Sequence, residues 1–178
     1  MSAWRPGGSR ADRDSMIRVD QAGEYGATRI YAGQLAVLRN TAPETKLIAR
    51  MASQEERHLK RFDQLMAERR VRPTLLQPFW DVAGFALGAA TALMSEKAAL
   101  ACTDAVETEI DRHYGEQLAE IMDEDPELSA TIAEFQVEEL EHRDSARGAG
   151  AAEALGYPLL TAAIRAGCRA AIALSKRI

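Results

Sequence analysis

The sequence predicts an all-α fold, a bundle of four helices joined by one long crossover. Alanine is abundant, β-branched residues are sparse and scattered, and no stretch alternates apolar and polar residues over the length of a strand. Proline and glycine, which interrupt helices, fall in only a few places along the 178 residues. With 47% apolar and 28% charged residues, the chain has the composition of one folded domain with a core of ordinary size.

Each predicted helix is bounded by such a breaker. Pro43 and Pro126 stand where a proline can open a helix, and Gly156 marks the last turn. We expect helices at 15–40, 44–71, 97–123, 127–147 and 158–176, with a less regular segment at 79–96 that runs on, or bends, into the third helix. Residues 1–14 are expected to be a flexible N-terminal segment and residues 15–178 a single domain.

The lengths of the connections decide how the helices are arranged. The first and third connections are short, so each joins two helices into an antiparallel hairpin. The second, from Arg72 to about Glu96, would as a helix travel roughly 30 Å, the length of a bundle. A short, long, short pattern is typical of a ferritin-like four-helix bundle, here with extra crossover and C-terminal helices.

Charge and cysteine content exclude several other classes of protein. The chain carries 22 basic and 27 acidic residues, a net charge of −5, which argues against nucleic acid as a partner. Cys102 and Cys168 form no C-x-x-C motif, so we expect no disulfide framework, no zinc site and a reducing compartment. The longest uncharged apolar run, residues 82–95, is shorter than the roughly 18 residues of a spanning helix.

Glutamate and histidine recur in a pattern that the chain contains twice. In each copy a glutamate is followed 31 or 32 residues later by Glu-x-x-His, and the copies are offset by 83 to 84 positions. The six residues are Glu24, Glu55 and His58 in the first copy and Glu107, Glu139 and His142 in the second. We interpret the repeat as a duplicated helical hairpin.

All six residues lie on the apolar stripes of their helices, where we expect them to be buried. Four unpaired buried carboxylates would be very unfavourable, whereas two divalent cations balance their charge. This is the ligand set of di-iron and di-manganese bundles. We expect Glu24 and His58 to hold one metal ion, and Glu107 and His142 to hold the other. Glu55 and Glu139 would bridge the two ions. The alternative is a solvated acidic face with two surface histidines.

Several ungapped strings of the sequence resemble the demethoxyubiquinone hydroxylase family. The resemblance runs from about residue 16 to residue 178 and is carried by IRVDQAGEYGA (17–27), RIYAGQ (29–34), VRPT (71–74), GFALGA (84–89), ACT (101–103), EELEH (138–142) and AGCR (166–169). Gln21 and Arg143 stand where animal members of the family have histidine, but neither is a ligand position.

The resemblance implies a membrane-associated di-iron monooxygenase that hydroxylates a demethoxyquinol ring just before the last O-methylation of ubiquinone biosynthesis. The six glutamate and histidine residues would bind two iron ions, with O2 as co-substrate and a polyprenyl quinol as substrate. The electron donor stays open between NADH and a reductase, because the chain has no G-x-G-x-x-G fingerprint. We expect a peripheral protein on the cytoplasmic face of a bacterial inner membrane, or on the matrix side in an organelle, with a lipid-presenting or ubiquinone-complex protein as a further partner.

Other residues near the pattern have two interpretations each. His113 and Tyr114 either take part in substrate or electron handling, as the resemblance suggests, or are a solvent-facing histidine and a packed tyrosine. Tyr25 and Tyr31 are expected to be core aromatics rather than catalytic groups. A metal-bound histidine usually donates its second nitrogen to a carboxylate or a carbonyl oxygen. The candidates for that acceptor are Asp104, Asp111 and Glu138.

The apolar residues of the crossover also have two interpretations. They pack on the bundle, which periodicity alone favours, or they lie in a membrane interface, which the resemblance favours. These residues are Phe79, Trp80, Phe85, Leu87, Leu93 and Met94. Basic residues cluster near the end of the second helix and again beyond Glu153, where they either face anionic lipid or form a solvated surface.

Two further functions use the same ligand pattern. A ferroxidase of ferritin or rubrerythrin type needs no lipid-facing segment, and a rubrerythrin would usually add a Cys-rich segment that this chain lacks. A scaffold subunit of a quinone-biosynthesis complex would bind metal only in order to fold.

Overall fold

The fold is seen in a computed structural model that describes residues 9–38, 43–121 and 124–177. Within those residues the chain is helical and contains no strand, which confirms the all-α prediction. The helices are α1 (Ser9–Val37), α2 (Pro43–Arg69), α3 (Gln77–Met94), α4 (Glu96–Ile121), α5 (Pro126–Gly148) and α6 (Tyr157–Ser175), and a short 3-10 turn (Ala151–Glu153) precedes α6.

The first helix is longer than expected at its N-terminus. It begins at Ser9, six residues before the expected boundary at residue 15. The Nη2 atom of Arg13, in this added part, lies 3.2 Å from Oε2 of Glu124, just before α5. Residues 1–8, and the expected ends of the first and third helices at residues 40 and 123, lie outside the described residues.

The crossover is the regular helix α3, so the expectation of a less regular segment was wrong. Its glycines have a low helix propensity, but because they lack a Cβ atom they let α3 lie against the backbone of α1. A Cβ atom at Gly88 would lie 1.9 Å from the carbonyl oxygen of Ile30, and one at Gly33 of α1 would lie 2.1 Å from that of Phe85. No side chain fits at either position, so glycine is needed here for close packing.

The four long helices form the bundle, with α1–α2 and α4–α5 as its two hairpins. Two apolar clusters make up most of the bundle core. The first includes Tyr31, Ile48, Met51 and Leu100, and the second includes Ile17, Phe62, Tyr114, Leu128 and Phe135. Burial of each such side chain contributes about 1.5–3 kcal/mol. Along every helix the metal-ligand candidates fall between these two clusters, so they form one polar layer across the bundle.

The duplication covers three helices in each half, one more than the sequence suggested. Helix α3 follows the first hairpin and packs on α1, and α6 follows the second hairpin and packs on α4. Gly84 in α3 and Gly167 in α6 are 83 positions apart, the same offset as the repeated glutamates. The two added helices therefore occupy equivalent places on the outside of the bundle.

Large apolar side chains are exposed on α3, on α6 and on the turns that precede them. This α3–α6 face consists of Leu75, Phe79, Val82, Phe85, Leu93, Met94, Leu155, Leu159 and Leu174. Among the exposed large apolar residues of the described chain, only Val137 lies elsewhere. Trp80 and Leu87 are half-buried, so packing on the bundle accounts for only part of the crossover. None of the described helices is long and apolar enough to cross a membrane.

Candidate metal centre

The structure brings all six residues of the predicted ligand set together in one layer. They form two groups that share Glu55 and Glu139, with Glu24 and His58 in one group and Glu107 and His142 in the other. Within each group, one ligand atom from every residue lies within 4.8 Å of the others. This grouping has the form of the expected arrangement, two terminal pairs with two carboxylates between them.

Both histidines present the same ring nitrogen to the carboxylates. His58 Nδ1 lies 3.0 Å from Glu139 Oε1 and 3.5 Å from Glu24 Oε2. His142 Nδ1 lies 3.1 Å from Glu55 Oε1 and 3.2 Å from Glu139 Oε2. In both halves, Nδ1 is therefore the nitrogen that faces the carboxylates of the layer.

The layer is buried and its polar atoms are largely unpartnered. Glu24 and Glu107 are 1% exposed and the other two glutamates are 0% exposed, which excludes a solvated acidic face. The atoms without a hydrogen-bond partner among the described residues are Glu24 Oε2, both Glu55 oxygens, His58 Nδ1, Glu107 Oε2 and Glu139 Oε1. Buried polar atoms without a partner are rare in folded proteins, because each lowers the stability of the folded state by about 1–3 kcal/mol. Divalent cations would satisfy them, so the residues fit a pair of metal ions.

Burial also changes the proton affinity of the layer. Desolvation raises the pKa of Glu55, Glu107 and Glu139 above the ordinary value, and the neighbouring carboxylates raise it further. Burial alone would lower the pKa of His58, but the adjacent carboxylates of Glu139 and Glu24 raise it to about 11. The layer therefore attracts positive charge, whether protons or metal ions.

The second nitrogen of each histidine is held by a residue from the other half of the chain. His58 Nε2 lies 2.9 Å from Glu138 Oε2, and His142 Nε2 lies 3.2 Å from Gln54 Oε1. Glu138 is one of the three acceptors that the sequence suggested. Gln54 was missed, although it stands 84 positions before Glu138 and therefore occupies the equivalent place in the first copy.

The other two suggested acceptors lie away from the histidines. Asp104 accepts hydrogen bonds from Arg147, at 2.7 Å, and from Tyr157. Asp111 accepts one from Arg143 at 3.2 Å. These aspartates tie α4 to α5 and α6, so their role is in the packing of the second half.

Two tyrosines connect the halves in the same crosswise manner. Tyr31 Oη donates to Glu107 Oε1 at 2.8 Å, and Tyr114 Oη donates to Glu24 Oε1. Each tyrosine stands seven residues after the glutamate of its own helix and bonds the glutamate of the other. Tyr31 is buried, as expected of a core aromatic, but its contact with the carboxylate of Glu107 was not predicted. The 83-residue offset from Tyr114 is the signal that identifies it.

His113 lies beside the layer, in a buried polar cluster. It is 4% exposed, and its Nε2 lies 3.2 Å from Asp20 Oδ1 and 3.0 Å from Gln117 Nε2. The solvent-facing alternative is therefore wrong, while a part in substrate or electron handling stays a prediction. Tyr25 lies outside the site and donates to Asp81 at 3.0 Å.

The two cysteines lie in apolar surroundings near the layer. Burial raises the pKa of Cys102 and of Cys168 to about 12, so neither is a thiolate at neutral pH. They belong to a cluster that includes Leu87 of α3 and Val106 of α4. This cluster connects the α3–α6 face with the part of α4 that carries Glu107.

On the other side of the bundle, a cavity of about 330 Å³ reaches one end of the layer. Its lining residues are Arg50, Gln54, Glu141, His142 and Ser145. Of the two histidines, only His142 borders this cavity. The centre thus has an apolar side, toward α3 and α6, and a polar side, between α2 and α5.

The fold and this layer together define a class of protein, the ferritin-like bundles whose buried carboxylates and imidazoles can hold metal ions. The model of one family, described as ubiquinone biosynthesis protein COQ7, matches residues 11–175 of the chain. The chain belongs to this family, which confirms the resemblance found in its sequence.

Relatives with established names agree with this assignment. The chain is 54% identical to the 3-demethoxyubiquinol 3-hydroxylase of Rhodospirillum rubrum, over 93% of this chain and 78% of the relative. It is 52% identical to the mitochondrial NADPH-dependent 3-demethoxyubiquinone 3-hydroxylase of Homo sapiens, over 96% of this chain and 80% of the relative. It is 42% identical to the mitochondrial 5-demethoxyubiquinone hydroxylase of Saccharomyces cerevisiae, over 93% of this chain and 78% of the relative. All three relatives are hydroxylases.

Proposed function

We propose that this protein hydroxylates the ring of a demethoxyubiquinol in ubiquinone biosynthesis, at a centre of two iron ions and with O2 as co-substrate. The observation that carries the proposal is the complete layer of six buried ligand residues, with unpartnered oxygens in each metal group. Relatives at 40% to 54% identity are named for this hydroxylation, which supports the same reaction here.

The six residues would hold two ions at two positions. Site 1 consists of Glu24 and His58, site 2 of Glu107 and His142, and Glu55 and Glu139 lie between the sites. Four carboxylates balance the charge of two divalent ions. Oxygen ligands with one imidazole per ion suit iron or manganese better than structural zinc. Ferrous iron supplies the electrons that dioxygen needs before it can attack a closed-shell ring.

The residues around the layer prepare it for these ions. Tyr31 and Tyr114 each bind one oxygen of a terminal glutamate, Glu107 and Glu24 respectively, and leave the other oxygen unpartnered. The acceptors at the second histidine nitrogens orient both rings so that Nδ1 faces inward. The apolar clusters above and below the layer exclude water from it.

The α3–α6 face is the surface we assign to the lipid part of the substrate. Phe79 is 60% exposed and Leu93 is 73% exposed on this face, and Asp81 is the only charged residue between positions 75 and 95. Beyond Glu153 the chain has four basic residues and no acidic one; Arg165 and Arg169 pair with Glu109, and Lys176 and Arg177 lie outside that pairing. Such a surface suits the interface of an anionic bilayer. The protein would then be peripheral, on the cytoplasmic face of a bacterial inner membrane or on the matrix side in an organelle.

The quinol ring would reach the metals through the apolar cluster between this face and Glu107. For the electron donor we propose a reduced nicotinamide nucleotide, acting directly or through a reductase. The support is the name of the human relative, which is NADPH-dependent. A protein that presents the lipid substrate or gathers the pathway into a complex stays a prediction.

A ferroxidase would use the same six residues, as would a subunit that binds metal only in order to fold. Neither function would need the α3–α6 face, and the three relatives reported above are named for hydroxylation. Hydroxylation accounts for the ligand layer, the apolar face and the family together.

A single turnover tests the proposal. The iron-loaded protein is reduced chemically without air, mixed with a short-tailed demethoxyquinol in a lipid bilayer, and exposed to ¹⁸O₂. Chemical reduction removes the donor from the experiment. We expect one labelled oxygen on the ring, lost in Glu139→Ala and retained in Glu134→Ala, whose side chain is 63% exposed on the same helix. Oxidised iron with an unchanged quinol would contradict hydroxylation and favour the ferroxidase.

A further inference from the structure

The residues that hold the two histidines are equivalent in the duplicated chain but differ in charge. Positions 54 and 138 are 84 residues apart, and each directly precedes one of the shared glutamates. Each contacts the histidine of the other half. Position 138 is a glutamate and position 54 is a glutamine, so the two sites have the same ligands with different acceptors behind them.

Glu138 is a charged acceptor that is fixed in place. Its Oε2 lies 2.9 Å from His58 Nε2 and also accepts from Arg57 and, at 3.4 Å, from Gln54 Nε2. Its side chain is only 17% exposed, so water screens its charge weakly. Hydrogen bonds to a charged group are roughly twice as strong as neutral ones, and a carboxylate partner makes an imidazole a more basic ligand. His58 should therefore bind a metal ion more tightly.

Gln54 gives His142 a neutral acceptor at a longer distance, 3.2 Å. An amide oxygen stabilises positive charge on the ring less than a carboxylate does, so His142 is the weaker ligand. The offset of 84 also pairs Arg57 with Glu141. The position equivalent to Arg57, which fixes the acceptor at site 1, is therefore an acidic residue near site 2.

The surroundings of the two histidines differ in the same direction. His58 is 0% exposed and stacks on Phe135, with the ring centroids 4.0 Å apart. His142 borders the cavity of about 330 Å³ that Gln54 also lines. The ring of His142, at site 2, thus borders a space that opens to solution, whereas the ring of His58, at site 1, is enclosed.

We propose that Glu138 and Gln54 are positioning residues that make the two metal sites unequal. Site 1 binds a divalent cation first and retains it, and site 2 fills second and exchanges its ion with solution through the cavity beside His142. This inference rests on the two-cation centre of the proposed function, and it adds an order of binding and the residues that set it.

Anomalous diffraction from crystals of the metal-free protein, soaked with one equivalent of Mn²⁺, measures the order directly. We expect an affinity at site 1 that is roughly 10–100 times that at site 2, the range found when the acceptor behind a ligand histidine is changed. In solution, a chelator should remove the two Mn²⁺ ions in two phases whose rates differ at least by about tenfold.

Exchanging the two acceptors gives the decisive variant. The double variant Gln54→Glu with Glu138→Gln keeps the net charge and the glutamine–glutamate pair, and it should reverse the order of occupancy. The single variant Glu138→Gln, which introduces no new charge, should bring the two occupancies close together. Glu127→Gln makes the same chemical change on α5, at a residue that is 53% exposed and pairs with Arg61 and Arg69, and it should leave the order unchanged.

Three results would overturn the inference. The first is equal Mn²⁺ occupancy of the two sites in the wild-type protein, and the second is release of both ions to the chelator in one phase. A wild-type order that survives in the folded double variant or in Glu138→Gln would show that the acceptors do not set it. Two ions bound equally would leave the proposed function intact, whereas a protein that binds no Mn²⁺, Co²⁺ or Fe²⁺ would contradict both.

Discussion

Removing the metal ions should destabilise the protein strongly, because the buried layer then lacks its counter-charge. With free cation at about 100 times Kd, each bound ion stabilises the folded state by about 2.7 kcal/mol, so two ions contribute about 5 kcal/mol. In a chain of this size, 1 kcal/mol corresponds to about 2–4 °C in Tm. We therefore expect the metal-loaded protein to melt about 10–20 °C above the metal-free protein.

This difference should grow as the pH rises. Burial raises the pKa of Glu55 and Glu107 above the ordinary 4.5. The stability that these groups give the metal-free protein is complete below pH 4.5 and is lost as the pH rises through their folded pKa values. His58 acts in the same sense between its ordinary 6.5 and its folded pKa of about 11. Burial lowers the pKa of His142, so this residue favours the metal-free folded state as the pH rises. The three groups Glu55, Glu107 and His58 act against it and outnumber it.

Thermal unfolding followed by circular dichroism, with Mn²⁺ or with a chelator, measures both effects. The metal-free protein should be less stable at about pH 8 than at about pH 6. Glu55→Ala, which removes a shared ligand, should abolish most of the stabilisation by metal, and the exposed Glu134→Ala should preserve it. A Tm that does not respond to metal, or a metal-free protein that gains stability toward high pH, would refute the reasoning.

Three further predictions test the crosswise contacts, the α1–α3 packing and the docking of α6. Tyr31→Phe should weaken Mn²⁺ binding at site 2, and Tyr114→Phe at site 1, by roughly 10–100-fold in titrations; equal loss at both sites would contradict the crosswise contacts. Gly88→Ala should lower the free energy of unfolding in urea by about 1–3 kcal/mol, because its Cβ would meet the α1 backbone, whereas Gly167→Ala, with open space around it, should not destabilise the protein. Glu109→Gln should cost about 1–2 kcal/mol at about pH 7, because Glu109 is buried against two half-exposed arginines of α6. Burial raises the pKa of Glu109, but the arginines outweigh burial and hold that pKa below the ordinary 4.5. The difference in stability between wild type and Glu109→Gln should therefore disappear as the pH falls through the pKa of Glu109 in the folded protein. A difference in stability that persists below that pH would mean that the shape of the side chain matters rather than its charge.

The hairpins and the ligand layer could be predicted because both follow from local rules. Pro43 and Pro126 open helices α2 and α5 where the sequence placed them. The six glutamate and histidine residues share one helical phase, and phase alone decides which face of a helix enters the core. Polar residues in that phase need polar partners in the core, so their shared phase predicts that the six residues meet in one layer.

The regularity of α3 could not be predicted in the same way. Gly84 and Gly88 weaken a helix by propensity, and the compensation lies in the backbone of α1, more than 50 positions away in the sequence. The exposure of Phe79 and Leu93 is likewise a tertiary property, because an apolar stripe looks the same whether a neighbour covers it or not. The start of α1 at Ser9 was missed because residues 9–14 carry no apolar stripe, although no breaker separates them from the rest of the helix.

The missed residues Gln54 and Tyr31 show how a duplicated chain builds its site. Each was detectable by moving a recognised residue, Glu138 or Tyr114, back by 84 or 83 positions. In the bundle the two halves face each other, so a residue near a ligand in one half reaches a ligand of the other half. Each half therefore orients the histidine of the other half, and Gln54 also contacts Glu138 directly. In our proposal, the difference between Gln54 and Glu138 leaves the six residues of the layer unchanged and makes the two sites unequal in metal affinity.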